Sequence, residues 1–189
     1  MKKLVIKTVA FTLALMLAVG GIFYLALGLF KPSTLGDFYF RLNNQTLTIK
    51  YSEKAYQKSQ DISDLSLLTE RAIIFDDHEL IQKYAVTLIN DNGYNAFIQT
   101  KSTTYHYFII SGLCLSLYDS NKKGEAVSTA LSYTYDYTQS NPIRYLIAKC
   151  VESNDKTTLT LLRQGLDGRG DKNQLVNQDI SSIDEFLNN

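Results

Sequence analysis

A chain of 189 residues has room for one domain and an anchoring or targeting segment, and 45 % hydrophobic with 20 % charged residues is the composition of a folded protein. The formal charge of zero conceals an asymmetry: residues 1–31 hold Lys2, Lys3, Lys7 and Lys31 and no acid, which leaves 15 basic and 19 acidic residues in the rest. That mildly acidic remainder lacks the basic footprint of a nucleic-acid binder, and no nucleic-acid partner is expected.

The first element is an apolar helix. Thr8 to Phe30 runs without a charge, and it exceeds the roughly 20 helical residues that a hydrocarbon core of about 30 Å requires. A secretory leader has a shorter apolar region and a small-residue cleavage site. The tripeptide Ala26-Leu27-Gly28 is a poor version of such a site, and Ala18-Val19-Gly20 is followed by more apolar residues. Residues 1–31 are therefore expected to form an uncleaved signal anchor, with a cleaved signal peptide as the alternative. Three lysines precede the run and one follows it. The positive-inside rule then places the N-terminus in the cytoplasm and the following domain outside, in a single-pass cell-membrane protein.

Residues 32–170 carry a repeated layout. The segment Leu35-Gly36-x-x-Tyr39 leads through Asn44 to Thr48-Ile49-x-Tyr51 and Lys54-Ala55. The same order recurs more loosely at Leu68-Thr69-x-x-Ala72, at Leu113-Cys114-x-x-Leu117 and at Tyr145 to Ala148. The step from Gly36 to Thr69 equals the step from Cys114 to Ile147, whereas the step from Thr69 to Cys114 is longer. An insertion near Asn90–Lys101 therefore interrupts the array. The first segment resembles a tetratricopeptide (TPR) repeat, with Thr48 and Ser52 standing where alanine and an aromatic are usual. The resemblance implies an all-α fold of about four helical hairpins stacked as a superhelix. It also implies a concave groove lined by the first helix of each hairpin, and mapped residue by residue that groove presents Asp37, Phe40, Arg41, Glu70, Ile73, Ile74, Ser111, Leu115, Tyr118, Arg144 and Glu152. The lysine and asparagine set that clamps a C-terminal carboxylate in some members is missing.

Local signals accompany the repeats. Asp61, Asp76, Asn121 and Asn154 fall where helix starts or turns are needed, and Asp76-x-x-Glu79 has capping-box spacing. Pro142 suits the first turn of a helix. Leu47–Tyr51 and Tyr105–Ile109 alternate briefly like strands, but the helical periodicity absorbs them. Residues 171–189 are expected to form a capping helix over Leu175, Val176, Ile180, Ile183, Phe186 and Leu187.

Chemistry-bearing motifs are few. His78 and His106 lack a nitrogen or sulfur neighbour at ligand spacing, so no metal site is expected. Asp76-Asp77-His78-Glu79 reads better as an acidic helix start than as a cation site. The glycines of Gly165 to Asp171 suit a helix end rather than a calcium loop, and Arg169-Gly170-Asp171 is a tripeptide that recurs by chance. Asn44-Gln45-Thr46 has the form of a glycosylation acceptor. Cys114 and Cys150 could bridge in an oxidising compartment or remain buried free thiols. Tyrosine is abundant at 13, and Tyr105, Tyr107, Tyr118, Tyr133, Tyr135 and Tyr137 serve either inter-helix packing or a binding surface. No catalytic residues and no cofactor are expected. The function expected is a non-enzymatic, membrane-tethered adaptor that binds a protein or peptide in the groove. The alternatives are a structural subunit with buried repeat faces and a small-ligand pocket protein.

Overall fold

The computed structural model describes residues 2–170 and 173–189, with side chains from Val9 onward. The described residues are helical and contain no strand. Leu47–Tyr51 and Tyr105–Ile109, the two strand-like stretches, lie inside helices. The chain forms two compact units, residues 1–64 and 65–189.

In the first unit, α1 (Lys2–Phe30) is followed by α2 (Pro32–Arg41) and α3 (Gln45–Ser59). Within α1, Val9–Phe30 has a mean hydropathy of 2.3 and is long and apolar enough to cross a membrane. Phe11, Leu17 and Ile22 are exposed. The last turns of α1 meet protein: Gly28 is buried, and a Cβ there would touch Leu35 Cδ1 and Tyr51 Cε1 at 3.5 Å. Thr48, Ile49, Ser52 and Ala55 of α3 are buried. The hydroxyls of Thr48 and Ser52 return to the carbonyls of Asn44 and Thr48 at 2.7 and 2.6 Å, so both polar substitutes sit in the interface without orphaning a donor.

The second unit takes in most of α4 (Ile62–Ile74), then α5 (His78–Ile89), α6 (Tyr94–Gln99), α7 (Thr103–Asp119), α8 (Lys123–Tyr133), α9 (Pro142–Glu152), α10 (Lys156–Asp167) and α11 (Gln174–Asn188). α6 occupies the stretch where the repeat spacing lengthens. α7 is apolar around most of its circumference, burying Ile109, Ile110, Leu113, Cys114 and Leu117. A helix of that pattern must be surrounded, and α7 touches α5, α6, α8 and α9. α10 carries a narrower stripe, Leu159, Leu162 and Leu166, that faces α8, α9 and α11. Gly165 lets Leu131 of α8 approach the α10 backbone, because a Cβ there would overlap the leucine side chain. α11 buries Val176, Asp179 and Ile183 against α9 and α10.

Four turns share one geometry. Asn43, Asp76, Asn121 and Asn154 adopt left-handed φ angles of 53°, 54°, 61° and 53°. The interval between the first two equals that between the last two, and the middle interval is longer, as in the sequence repeat. In each turn the next residue donates its N–H to the carbonyl five back: Asn44 to Tyr39 (3.0 Å), Asp77 to Ala72 (3.1 Å), Lys122 to Leu117 (2.8 Å) and Asp155 to Cys150 (2.8 Å). This is the Schellman closure, with Asn or Asp in place of glycine because their short polar side chains tolerate the left-handed region. The residue after the turn opens the following helix, and Asn44, Asp77 and Asp155 cap the N–H groups of Leu47, Leu80 and Thr158. The capping box expected at Asp76 is corrected accordingly. The five-back bond needs positive φ immediately before the cap, so Asp76 makes the turn and Asp77 caps. Pro142 stands in the first turn of α9 behind the Asn141 cap.

Candidate functional site

In the second unit, residues of α4, α7 and α9 border an apolar cleft of about 350 Å³. Ile73 comes from α4; Thr104, Phe108, Ser111, Gly112 and Leu115 come from α7; Ser140 and Tyr145 come from α9 and the segment before it. A shallower pocket continues past Thr104 and Phe108 to Glu70, Ile74, Ser102 and Tyr105. The α7 residues are spaced 104, 108, 111, 112, 115, which is a single helical face.

Gly112 shapes the floor. A Cβ at that position would lie 2.7 Å from Ile73 Cγ1 and Cδ1, so only glycine lets α4 come this close to α7. Ser111 Oγ is buried beside this contact and makes no hydrogen bond among the described residues. A buried hydroxyl without a partner is a cost that a ligand able to hydrogen-bond would relieve. Phe108 and Tyr145 remain 37 % and 49 % exposed at the rim, leaving aromatic surface open to solvent.

Five expected groove residues therefore gather in these two pockets: Glu70, Ile73, Ile74, Ser111 and Leu115. The others do not line them. Tyr118 is buried, and its hydroxyl donates to Asp155 Oδ2 at 3.0 Å. Arg144 is held by Asp179 of α11 at 2.8 Å beside a polar surface of Asn173, Asn177 and Gln178. Glu152 is exposed near the C-terminal end of α9. Asp37, Phe40 and Arg41 lie on α2 in the first unit, with Phe40 half-buried. Sequence mapping misses Phe108, Gly112 and Tyr145. The face shared with Ser111 and Leu115 points to the first two, whereas Tyr145 requires knowing where α9 docks.

The remaining chemistry-bearing residues are built into the core. Cys114 and Cys150 are both buried free thiols and form no bridge with each other. Burial pushes both upward, Cys150 to about 12, so neither is a thiolate nucleophile near neutrality. His106 is buried, its Nε2 donating to the Tyr133 carbonyl at 3.0 Å and its Nδ1 accepting from the Tyr94 hydroxyl at 2.8 Å. Burial lowers its pKa from 6.5 against a smaller opposing effect of the Tyr133 carbonyl, which favours the neutral ring. The unfolded chain therefore takes up a proton first as pH falls below 6.5. Stability is expected to decline through that window. In His106→Asn this part of the decline should disappear, which thermal melting at a series of pH values would show.

The tyrosines mostly pack. Tyr107 and Tyr137 are buried, with their hydroxyls on the Asp136 carbonyl (2.7 Å) and on Asp179 (2.8 Å), while exposed Tyr135 stacks on His106. Arg169 donates to the Thr134 carbonyl at 3.1 Å; Asp171, the last member of its tripeptide, lies outside the described residues. Among the described residues no group of three or more His, Cys, Asp or Glu side chains gathers as a metal site. Comparison with protein-family models, with curated proteins and with solved structures finds no match to this chain.

Proposed function

We propose that the chain is a membrane-tethered adaptor whose TPR-like second unit binds an apolar segment of another protein in the α4–α7–α9 cleft. The observation that carries this reading is the cleft itself. It runs across residues of α4, α7 and α9, its walls are apolar, and an unpaired hydroxyl sits in its floor. Such a surface suits a peptide that offers two or three apolar side chains and a backbone polar group. The recurrence of one turn geometry at Asn43, Asp76, Asn121 and Asn154, with matching outer intervals, supports the TPR-like ancestry of the hairpins. α1, apolar and exposed from Val9 to Leu25, supplies the tether, and confinement to one membrane raises the effective concentration of partners there. The three N-terminal lysines favour a cytoplasmic N-terminus and an extracytoplasmic adaptor.

The test is site-specific photo-crosslinking in the native membrane. A crosslinking amino acid at Phe108 or Tyr145 should trap one discrete polypeptide, and the same group at Glu125 on α8 should not. Leu115→Asp, with its helical circular dichroism checked, should weaken that capture about ten- to a hundredfold, since it places a charge among apolar contacts. Identical trapping at all three positions, or none, would sink the cleft reading. Trapping that survives detergent extraction and Leu115→Asp alike would favour a permanently buried structural subunit instead.

A further inference from the structure

The first unit contains a geometric constraint on how it meets a bilayer. α2 turns back along α1, and α3 returns beside it. Tyr39 donates to the Tyr24 hydroxyl at 3.1 Å, and the Tyr24 and Tyr51 hydroxyls are 2.6 Å apart. The Tyr39 and Tyr51 rings stack at 5.7 Å. Two turns further along, Lys58 Nζ donates to the Leu29 and Phe30 carbonyls at 3.3 and 2.9 Å, satisfying the C-terminal end of α1. The tyrosine hydroxyls therefore meet at the level of Tyr24, about 9 Å before the end of α1. The α2–α3 turn lies beyond that level, on the side toward the middle of the apolar helix.

That turn is Arg41-Leu42-Asn43-Asn44-Gln45, and all five residues are exposed. Hydrocarbon cannot surround a turn that carries an arginine and three amide side chains. The apolar run as a whole thus cannot be immersed to Phe30. Beside this polar turn stand Phe38, 52 % exposed, and Leu42, 60 % exposed, one helical turn apart. The composite of tyrosine hydroxyls, two uncovered apolar side chains and the cations Arg41 and Lys50 is the chemistry of the headgroup layer, where aromatic rings and basic side chains concentrate.

Resting on the membrane-anchored reading of α1, we propose that the α2–α3 hairpin is an interfacial docking element. Phe38 and Leu42 enter the headgroup layer of a phospholipid surface, the Tyr24–Tyr39–Tyr51 cluster sits within that layer, and the hydrocarbon-spanning part of α1 ends on the N-terminal side of Tyr24 instead of at Phe30.

The chain contains no tryptophan, so one introduced tryptophan is a unique reporter. Full-length Phe38→Trp and Met16→Trp proteins would each be reconstituted into phosphatidylcholine–phosphatidylglycerol vesicles whose acyl chains are brominated either near the headgroup or deep in the tail. Phe38→Trp should lose about half its emission to the shallow bromines and little to the deep ones, and Met16→Trp should show the reverse. Leu42→Trp should follow Phe38→Trp, which guards against a local packing defect. Emission from Phe38→Trp that is untouched by bromines and quenched by aqueous acrylamide would overturn the docking element while Met16→Trp still reported an inserted anchor. A blue-shifted Phe38→Trp insensitive to both quenchers would overturn it as well, because a second protein surface would then cover the patch. Quenching of Phe38→Trp chiefly by the deep bromines would overturn the proposed boundary. If Met16→Trp also escapes the bromines, the anchor reading itself falls.

Discussion

Replacing Asp155 by alanine is expected to cost about 3 kcal/mol and to lower the unfolding midpoint of the second unit by about 9 °C. One carboxylate serves three helices. It caps α10 through Thr158 N–H (3.0 Å) and the Thr158 hydroxyl (2.8 Å). It also accepts from the Tyr118 hydroxyl on α7 (3.0 Å) and from Lys123 Nζ on α8 (2.7 Å). Burial alone would raise its pKa, but the bonds from Lys123, Thr158 and Tyr118 outweigh that and hold the carboxyl well below its usual 3.8. Alanine removes the cap and leaves the Tyr118 hydroxyl, on a buried residue, without its acceptor. Lys123→Ala should cost clearly less, since the lysine side chain is 40 % exposed and water screens the pair.

Thermal unfolding of full-length protein, followed by circular dichroism in detergent, checks both variants. A loss from Asp155→Ala no larger than that from Lys123→Ala would refute the three-helix role. The pH dependence supplies an internal control. The native carboxylate stays ionised to lower pH than the unfolded one, so the unfolded chain gains protons first as pH falls below about 3.8, and the advantage of wild type over Asp155→Ala should shrink there.

Asp179→Ala uses similar chemistry at the edge of the unit, and a local effect is expected. Asp179 accepts from Tyr137 Oη at 2.8 Å and from Arg144 Nε and Nη2 at 2.8 and 3.1 Å, joining α11 to α9 and to the segment between α8 and α9. Alanine leaves a buried phenol without its acceptor and the Arg144 guanidinium with Gln139 alone. The element lost is α11, which packs chiefly on α9 and α10 and is otherwise held by Val176, Ile183 and the Arg163–Asp184 pair at 3.0 Å. An edge helix in a stacked array can open without its neighbours. Amide hydrogen exchange should show protection in α11 falling about thirtyfold, the equivalent of about 2 kcal/mol, while α7 is unchanged. Equal loss of protection in α7 would mean that the unit unfolds as one and that α11 is not a separable cap.

The contrast between these residues separates what a sequence encodes locally from what assembly decides. Helix positions and the turns between them are legible because a left-handed Asn or Asp followed by a capping side chain involves only near neighbours in the chain. The apolar helix α1 is legible for the same reason, since length and hydropathy are properties of one segment. Even there a detail escapes: with two acids in succession, which one caps and which one turns depends on the closing bond to a carbonyl in the preceding helix.

The cleft is only half legible. Ile73, Ser111 and Leu115 can be placed on first-helix faces by counting, but the same counting puts Tyr118 and Arg144 in the groove. Asp155 and Asp179, both distant in sequence, draw those two side chains away. Gly112 matters because of Ile73 on α4, and Tyr145 lines the cleft because of the way α9 docks on α7. Cys114 and Cys150 are undecided from sequence, and the structure holds both as separate buried thiols. Which segments are helices, where they turn and which one can enter a membrane all follow from stretches of chain read one at a time. Which faces remain open is settled by packing, because exposure, ion pairing and the absence of a hydrogen-bond partner depend on atoms that folding brings together from distant positions.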